Sequence, residues 1–447
     1  MLRNTHKAFV SVLALFLVCV LVALAVASFG STSMGLAMAS NQNGAMATRL
    51  AAESGLSFIS YEVAHSGVNG CLRGKGLLDA LATRLKADLN GTTNLKGATV
   101  GYDGTTITVP EISIGDGSFT VAATQLSYDT VRLAVTGYHN SGAGSARTQL
   151  TRTITLDYQA TGNPAFGYGI CSKGPITMDM NTYIMGVVDP DDGSVYSSAT
   201  GTAITDGSGR ITGDVVTSDP NATLSMGKTQ IDGDILSNIP PITMPELLRS
   251  VYTVFATNIV DSSTDFSSGT FKNIRIRANT NPIFGAVTIQ GVMYIEAPNY
   301  IQFNNNATLT CVMVADDPPT GSPDSANYIS FNNNARIENI DQLPDTSEFT
   351  QLRKLGGTSV LAPGFTMEFK NNAFSIAGTV AVKSMIAKNN MCSTVDGGLL
   401  IYGNTGLSLK NNFTFKVDRS KNAGVPRGFQ GYGQALLVAK AESYTEK

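Results

Sequence analysis

The feature that most constrains this chain is an apolar run from Ala8 to Phe29, 22 consecutive positions without a charged residue. A helix of that length reaches roughly 33 Å at about 1.5 Å per residue, enough to cross a hydrocarbon layer of about 30 Å. Arg3 and Lys7 precede the run, and the next basic residue is Arg49. By the positive-inside rule we expect a single-pass inner-membrane protein with a cytoplasmic N-terminus (residues 1–7), a transmembrane helix (8–29) and an extracytoplasmic bulk.

A cleaved secretory signal is the alternative, because Ala25-Val26-Ala27 has the small-x-small pattern of a cleavage site. The apolar core of a signal peptide is usually only about 7 to 15 residues long, however. Apolar residues also recur at helical spacing beyond the run, as far as Tyr61. We therefore predict one long helix that continues out of the membrane.

Two short sequence segments follow the apolar run: Asn41-Gln42 and then Ala51-Ala52-Glu53-Ser54-Gly55-Leu56. In this order they resemble the N-terminal region of PilX-type minor pilins of bacterial type IV pili and related pseudopilin-like proteins, over about residues 5–65. The resemblance implies that Ala51, Ala52, Glu53 and Gly55 pack against helices of pilin-like or pilus-assembly proteins. The usual Gly before the run and Glu five residues into it are replaced by Lys7 and Val12, so the resemblance does not extend to the processing site.

The composition limits the classes of partner and fold. Charged residues make up 15% of the chain and the net charge is −3, which argues against a nucleic-acid partner. Forty-five glycines and the lack of tryptophan are typical of turn-rich β architecture. Cys71, Cys171, Cys311 and Cys392 follow the apolar run and permit up to two disulfides, in any of three pairings. The wide spacing of these cysteines argues against a zinc site formed by them.

Residues 30–160 are expected to form the long helix and a small α+β, pilin-like head. Five leucines from Leu77 to Leu89 lie at helical spacing, and Asn90-Gly91 follows as a stop signal. From about Thr99 to Ala160, apolar and polar residues alternate between Gly- and Asn-containing turns. That pattern predicts an antiparallel sheet.

Residues 161–420 contain two repeated motifs. The Ile-x-Gly motif begins at Ile211, Ile231, Ile289 and Ile376, and the apolar-x-apolar-x-Asn-Asn motif begins at Ile301, Ile329, Met367 and Leu407. In the second motif the apolar residues lie on one face of a strand, and asparagine tolerates the left-handed conformation of a sharp turn. We therefore predict a right-handed parallel β-helix, or β-solenoid, with asparagines stacked between rungs.

The predicted fold class is mainly β, with an N-terminal transmembrane helix, a pilin-like α+β head and this β-solenoid. Ordinary turns of a β-sandwich are the alternative explanation of the asparagines. Pro240-Pro241, followed by a short helix over Met244–Tyr252 with Pro245 in its first turn, is expected to form a linker that crosses a face of the solenoid. Residues 421–447 are expected to be a poorly ordered C-terminal tail.

Few residues suggest chemistry. Asp189, Asp191 and Asp192 lie in a turn without the twelve-residue calcium-loop pattern. Asp214 and Asp234 occupy equivalent places in two Ile-x-Gly motifs and should stack on adjacent rungs. We expect no catalytic residues, no metal and no cofactor.

These observations favour a structural function. We expect a membrane-anchored, minor pilin-like component with an extracytoplasmic solenoid for contact or adhesion, to a polysaccharide or another surface. The alternative is a membrane-tethered carbohydrate-active or carbohydrate-binding β-helix, which would bring acidic and basic groups together in a groove.

Overall fold

The computed structural model describes residues 3–141, 148–225, 227–305, 307–370, 373–388, 392–420, 424–433 and 436–447. The chain divides into two compact units. The first comprises residues 1–68, 74–159 and 438–447, and the second comprises residues 69–73 and 160–437.

The first unit contains two helices and one six-stranded sheet. Helix α1 spans Arg3–His65 and helix α2 spans Gly74–Leu89. The strands, in their order across the sheet, are Gly101–Tyr102, Thr106–Ile114, Gly117–Ser127, Thr130–Ser141, Thr148–Ala160 and Leu437–Glu446. The first five pair antiparallel with their neighbours. The predicted α+β arrangement, with its long N-terminal helix, is therefore present.

The last strand corrects the prediction of a poorly ordered C-terminal tail. Leu437–Glu446 lies beside Thr148–Ala160 in the sheet. Thr153 and Lys447 exchange two backbone hydrogen bonds of 3.0 and 2.9 Å, and Arg152 pairs with Glu446 at 2.8 Å. In the sequence, most of the second unit thus lies between the fifth and sixth strands of this sheet. Residues 421–423 and 434–435 of the predicted tail lie outside the described residues.

The described residues of the second unit form 25 strands of a three-sided parallel solenoid. Side A contains Ile170–Ser172, Val195–Ser197, Val215–Thr217, Ile235–Leu236, Asn258–Val260 and Leu399–Ile401. Side B contains Ile176–Met178, Thr202–Asp206, Thr223–Ser225, Ile283–Phe284, Asn299–Phe303, Asn327–Phe331 and Leu407–Leu409. Side C contains Thr182–Gly186, Gly209–Ile211, Gln230–Ile231, Ala335–Glu338, Phe374–Ile376, Cys392–Val395 and Thr414–Val417.

Five longer strands turn a corner and belong to two sides. Ser268–Ile276, Ala286–Ile295 and Ala307–Ala315 run from side C to side A, and Thr358–Phe369 and Thr379–Ala387 run from side A to side B. All pairings between described strands of this unit are parallel, as a solenoid requires and a β-sandwich does not. The solenoid prediction is confirmed, while its right-handed sense stays a prediction.

The Ile-x-Gly motif forms the corner between side C and side A. Each motif isoleucine lies on side C, and the apolar residue four positions later lies on side A. A Cβ atom on Gly233 would lie 2.6 Å from the carbonyl carbon of Gly213 one rung below. Glycine is required there because successive corners stack backbone on backbone.

The apolar-x-apolar-x-Asn-Asn motif forms the corner between sides B and C. The side-chain nitrogen of Asn332 donates a hydrogen bond to the side-chain oxygen of Asn304 at 2.5 Å. The side-chain nitrogen of Asn181 donates in the same way to the side-chain oxygen of Asn412 at 2.8 Å. The predicted asparagine stacking is therefore confirmed at these rungs, whereas Asn306, Asn371 and Asn372 lie outside the described residues. Met367 and Leu407 are not on adjacent rungs, because the strand Thr379–Ala387 lies between them.

Stacked phenylalanines fill the interior behind side B. The ring centroids of Phe303 and Phe331 are 4.7 Å apart, and those of Phe331 and Phe369 are 4.9 Å apart, with nearly parallel planes. Phe331 is 1% exposed. Burial of each such side chain stabilises the fold by about 1.5–3 kcal/mol.

The rungs are not stacked in chain order. The strands of side A follow one another as 258–260, 274–276, 293–295, 313–315, 360–362, 380–382, 399–401, 170–172, 195–197, 215–217 and 235–236. The last rung of the unit, 399–417, therefore stacks on its first rung, 170–186, on all three sides. We call this contact the seam.

The segment between Leu236 and Asn258 connects opposite ends of the stack. Ten rung spacings of about 4.8 Å separate its ends by roughly 48 Å, which 21 extended residues can span. Ile242, Met244 and Tyr252 of this segment are buried against outward-facing residues of side A such as Val216 and Leu361. The predicted linker crossing a solenoid face is confirmed, and between its two terminal strands side A consequently has buried residues on both of its faces.

Candidate functional site

The second half of helix α1 packs on the sheet of the first unit through a stripe of small and apolar residues. Its buried members are Gly44, Thr48, Ala51, Ala52, Gly55, Ile59 and Val63. A Cβ atom on Gly137 of the sheet would lie 2.2 Å from the Thr48 carbonyl oxygen and 2.6 Å from the Ala52 nitrogen. Small residues on both sides therefore allow the helix backbone to approach the sheet backbone closely.

This packing changes the interpretation of the four predicted assembly residues. Ala51 and Ala52 are 4% and 0% exposed, and a Cβ atom on Gly55 would lie 2.5 Å from the Phe119 ring. These three positions are covered by the chain's own sheet, so they do not offer a surface to another helix. The prediction that they pack against other helices is corrected accordingly, because small residues permit close approach to any backbone.

Glu53 is the exception among the four. Its carboxylate pairs with Arg49 at 2.9 Å, and the two side chains keep 40% and 55% of their surface exposed. Arg49 also lies 3.6 Å from Glu446. The hydrogen bond that Arg49 donates to Glu53, followed by the charge of Glu446, raises the pKa of Arg49. A role of Glu53 in assembly stays a prediction.

The rest of α1 presents an apolar surface with no cover. Every side chain from Phe9 to Asn43 is exposed, and this part contains a segment of mean hydropathy 3.2, long and apolar enough to cross a membrane. Beyond the predicted span, Met34 is 72% exposed and Leu36 68%. Met46 and Leu50 continue this surface alongside the packed stripe, at 65% and 55% exposure. The helical periodicity in the sequence therefore marked the uncovered face as well as the covered one.

The acidic residues of the first solenoid rungs have structural contacts. Asp189 accepts a hydrogen bond from the Asp191 amide at 3.0 Å and begins the short helix Pro190–Gly193. Asp192 is buried and accepts from Arg419 Nε at 2.7 Å and from the Arg419 amide at 2.9 Å. Arg419 also donates to the Phe166 carbonyl oxygen at 3.1 Å. This ion pair closes the seam, since its partners lie beside the first and last rungs.

Asp214 and Asp234 lie on adjacent rungs, as the spacing predicted. The Asp214 carboxylate accepts a hydrogen bond from the Asp234 amide at 2.7 Å, so it holds one corner on the next. Among the described residues, no cluster of histidine, cysteine or acidic residues has the arrangement needed to hold a metal ion.

A groove of about 760 Å³ on the solenoid has a described lining that mixes apolar and charged side chains. Ile242, Met244 and Tyr402 lie in it together with Lys173 and Glu246. The Tyr402 hydroxyl donates to the Pro245 carbonyl oxygen at 2.6 Å, which fixes the ring against the linker. Burial raises the pKa of Tyr402.

Two further charged residues of the groove, Arg249 and Asp317, form an ion pair. Arg249 donates two hydrogen bonds to Asp317, at 3.0 and 2.5 Å. The sequence alone does not reveal this pair, because Arg249 and Asp317 are 68 positions apart. The groove has room for a small ligand, but the Asp317 carboxylate already has a partner in Arg249.

All five cysteines have free thiols, so the disulfides that the sequence permitted are not formed. Cys71 and Cys171 are buried in the outer core beside side A. Burial raises the pKa of Cys71 to about 12 and raises that of Cys171 as well. Both are therefore neutral thiols at ordinary pH, whereas Cys392 is exposed.

Comparisons with known proteins give one structural similarity. No protein-family model and no curated protein matches the sequence. The chain is similar in structure to the competence-associated pilin ComZ from Thermus thermophilus, with a TM-score of 0.37 and 10% sequence identity over 91% of this chain and 98% of that one. A similarity at this level carries no argument about the fold or function of this chain.

Proposed function

We propose that this chain is a membrane-anchored structural protein, a minor pilin-like component of a type IV pilus or a related assembly. The observation that carries the proposal is the division of α1: one half is uncovered and apolar, and the other half packs on the sheet. Leaving an apolar helix in water costs about 25 cal/mol per Å² of its apolar surface. A bilayer removes that cost for residues 8–29, and helices of partner proteins remove it for the apolar surface beyond.

The solenoid is the part that this anchor presents outside the membrane. Its rungs have polar corners that contain asparagine, and its acidic residues Asp192 and Asp214 hold rungs together. We infer a role in contact or adhesion rather than catalysis. Inner-membrane location with a cytoplasmic N-terminus is part of the proposal and is supported by Arg3 and Lys7 before the apolar run.

The proposal is tested by placing a charge on the uncovered face of α1 outside the predicted span. Leu50→Lys should abolish recovery of pilin-like partners from detergent extracts of the native host while the protein stays in the membrane fraction. Leu50 is 55% exposed, so the change should leave the fold intact. Leu126→Lys, on a sheet strand and 48% exposed, is the matched control and should retain the partners. Unchanged partner recovery with Leu50→Lys would contradict the assembly role.

A further inference from the structure

The two ends of the solenoid differ in how the core is closed. At the end that begins with Asn258–Val260, Phe266 packs edge-on against Phe284 with ring centroids 5.0 Å apart and is only 8% exposed. This ring closes the stack of phenylalanines. At the other end, Thr223–Ser225, Gln230–Ile231 and Ile235–Leu236 each pair with one strand below them and, within the described residues, with none above.

The terminal rung leaves the apolar interior open. Leu224, Ile231 and Ile235 are in register with Ile204, Ile211 and Val215 of the rung below. The three residues below are fully buried, with 0% exposure. Leu224 and Ile231 are only half-buried, and Ile235 is 53% exposed. One apolar residue on each side of the solenoid thus lacks the covering layer that every interior rung provides.

The corner of this rung also carries a carboxylate, that of Asp234, at the position that accepts a hydrogen bond from the next rung elsewhere in the stack. Asp214 accepts the amide of Asp234 from the next rung at 2.7 Å. Asp234 occupies the same repeat position one rung later, and the described chain provides no rung beyond it. Strand edges with free backbone groups recognise extended polypeptide.

We propose that this open end, formed by residues 223–225 and 227–236, pairs with the same open end of a second copy of the chain. A single peptide strand could complete one side of the triangle, whereas another solenoid end completes all three sides at once. The opposite end of this chain is closed by Phe266 and cannot act as that partner. The pairing is therefore between like ends, and a two-fold axis relates the two copies.

The size of the end sets the conditions for pairing. The contact surface is the edge of a single rung, whereas interfaces that are stable in solution bury roughly 1,000 Å² or more of total surface. Tethering two copies in one membrane raises their effective concentration, so a small interface suffices there. This step rests on the proposed membrane anchoring. Failure of anchoring would appear as protein in the soluble fraction, and failure of pairing as membrane protein without end-to-end contact.

Energy transfer between dyes on the full-length chain in dilute proteoliposomes tests the proposal. Cys19→Ser and Cys392→Ser remove the exposed native thiols. Donor and acceptor dyes on Lys228→Cys, at the open end, should then show energy transfer between copies. Dyes on Ser262→Cys, at the closed end, should show little, because two solenoids of about 48 Å joined end to end separate these sites by roughly 95 Å.

Two further variants separate pairing from crowding. Ile235→Lys should abolish the transfer from Lys228→Cys, and Ile259→Lys, with a matched 55% exposure at the closed end, should preserve it. Circular dichroism of both variants should match the parent, since both side chains are half-exposed. No transfer from Lys228→Cys, equal transfer from Ser262→Cys, or transfer that persists in folded Ile235→Lys would each overturn the proposal.

Discussion

Removal of the buried ion pair at the seam should destabilise the solenoid strongly. The Asp192 and Arg419 side chains are 9% and 12% exposed, and the carboxylate accepts two hydrogen bonds from Arg419. Asp192→Ala leaves the guanidinium buried without its counter-charge, which costs about 3–5 kcal/mol. The second unit has 283 residues (69–73 and 160–437), and at about 2.1 cal/mol/K of unfolding entropy per residue this cost corresponds to a fall in melting temperature of roughly 5–8 °C. The chain has no tryptophan, so circular dichroism of the full-length protein in detergent is the suitable assay.

The matched control is a similar pair on the surface. Arg210 and Asp232 also join adjacent rungs, but their side chains are 43% and 24% exposed. Asp232→Ala should therefore cost no more than about 1 kcal/mol. Amide exchange in Asp192→Ala should accelerate together in strands 170–186 and 399–417, because the seam joins them. A melting shift no larger than that of Asp232→Ala would refute the reasoning about the seam.

Three further changes test separate contacts. Phe331→Asp places a charge between stacked rings and should cost several kcal/mol in a thermal melt; an unaltered melting curve would place Phe331 outside the core. Gly137→Ala should loosen α1 from its sheet and increase proteolysis there, whereas Gly76→Ala, with open space around it, should be neutral or stabilising. At pH 8, Cys392 should react with iodoacetamide in the native protein and Cys171 should not, because burial raises the Cys171 pKa and keeps it a thiol; equal labelling of both would contradict this.

Local patterns predicted the repeat unit well. The leucines of α2 predicted the helix that the structure has, and the alternation in Ile329-Ser330-Phe331 placed both apolar side chains in the core. These features depend on strand or helix periodicity within a few residues. They can be predicted from the sequence because the burial of one face of a helix or strand depends only on residues a few positions apart.

Longer-range features were not predictable in the same way. Any rung can stack on any other, so sequence spacing could not show that 170–172 lies beside 399–401. The C-terminal strand 437–446 carries little apolar alternation, because it lies at the edge of the sheet, so its sequence predicts a tail rather than a strand. The small residues near Ala52 indicated close packing, but their size does not reveal whether the neighbour is a helix or, as here, a sheet containing Gly137.

The proposed membrane anchoring requires that the N-terminal helix stays attached to the mature protein and holds it in the membrane. Alkaline extraction of membranes, followed by N-terminal sequencing of the extracted and pelleted protein, measures both properties together. We predict that the chain remains in the pellet and that its first residue precedes Ala8. A mature chain that begins near Ser28 and is recovered in the supernatant would contradict the account.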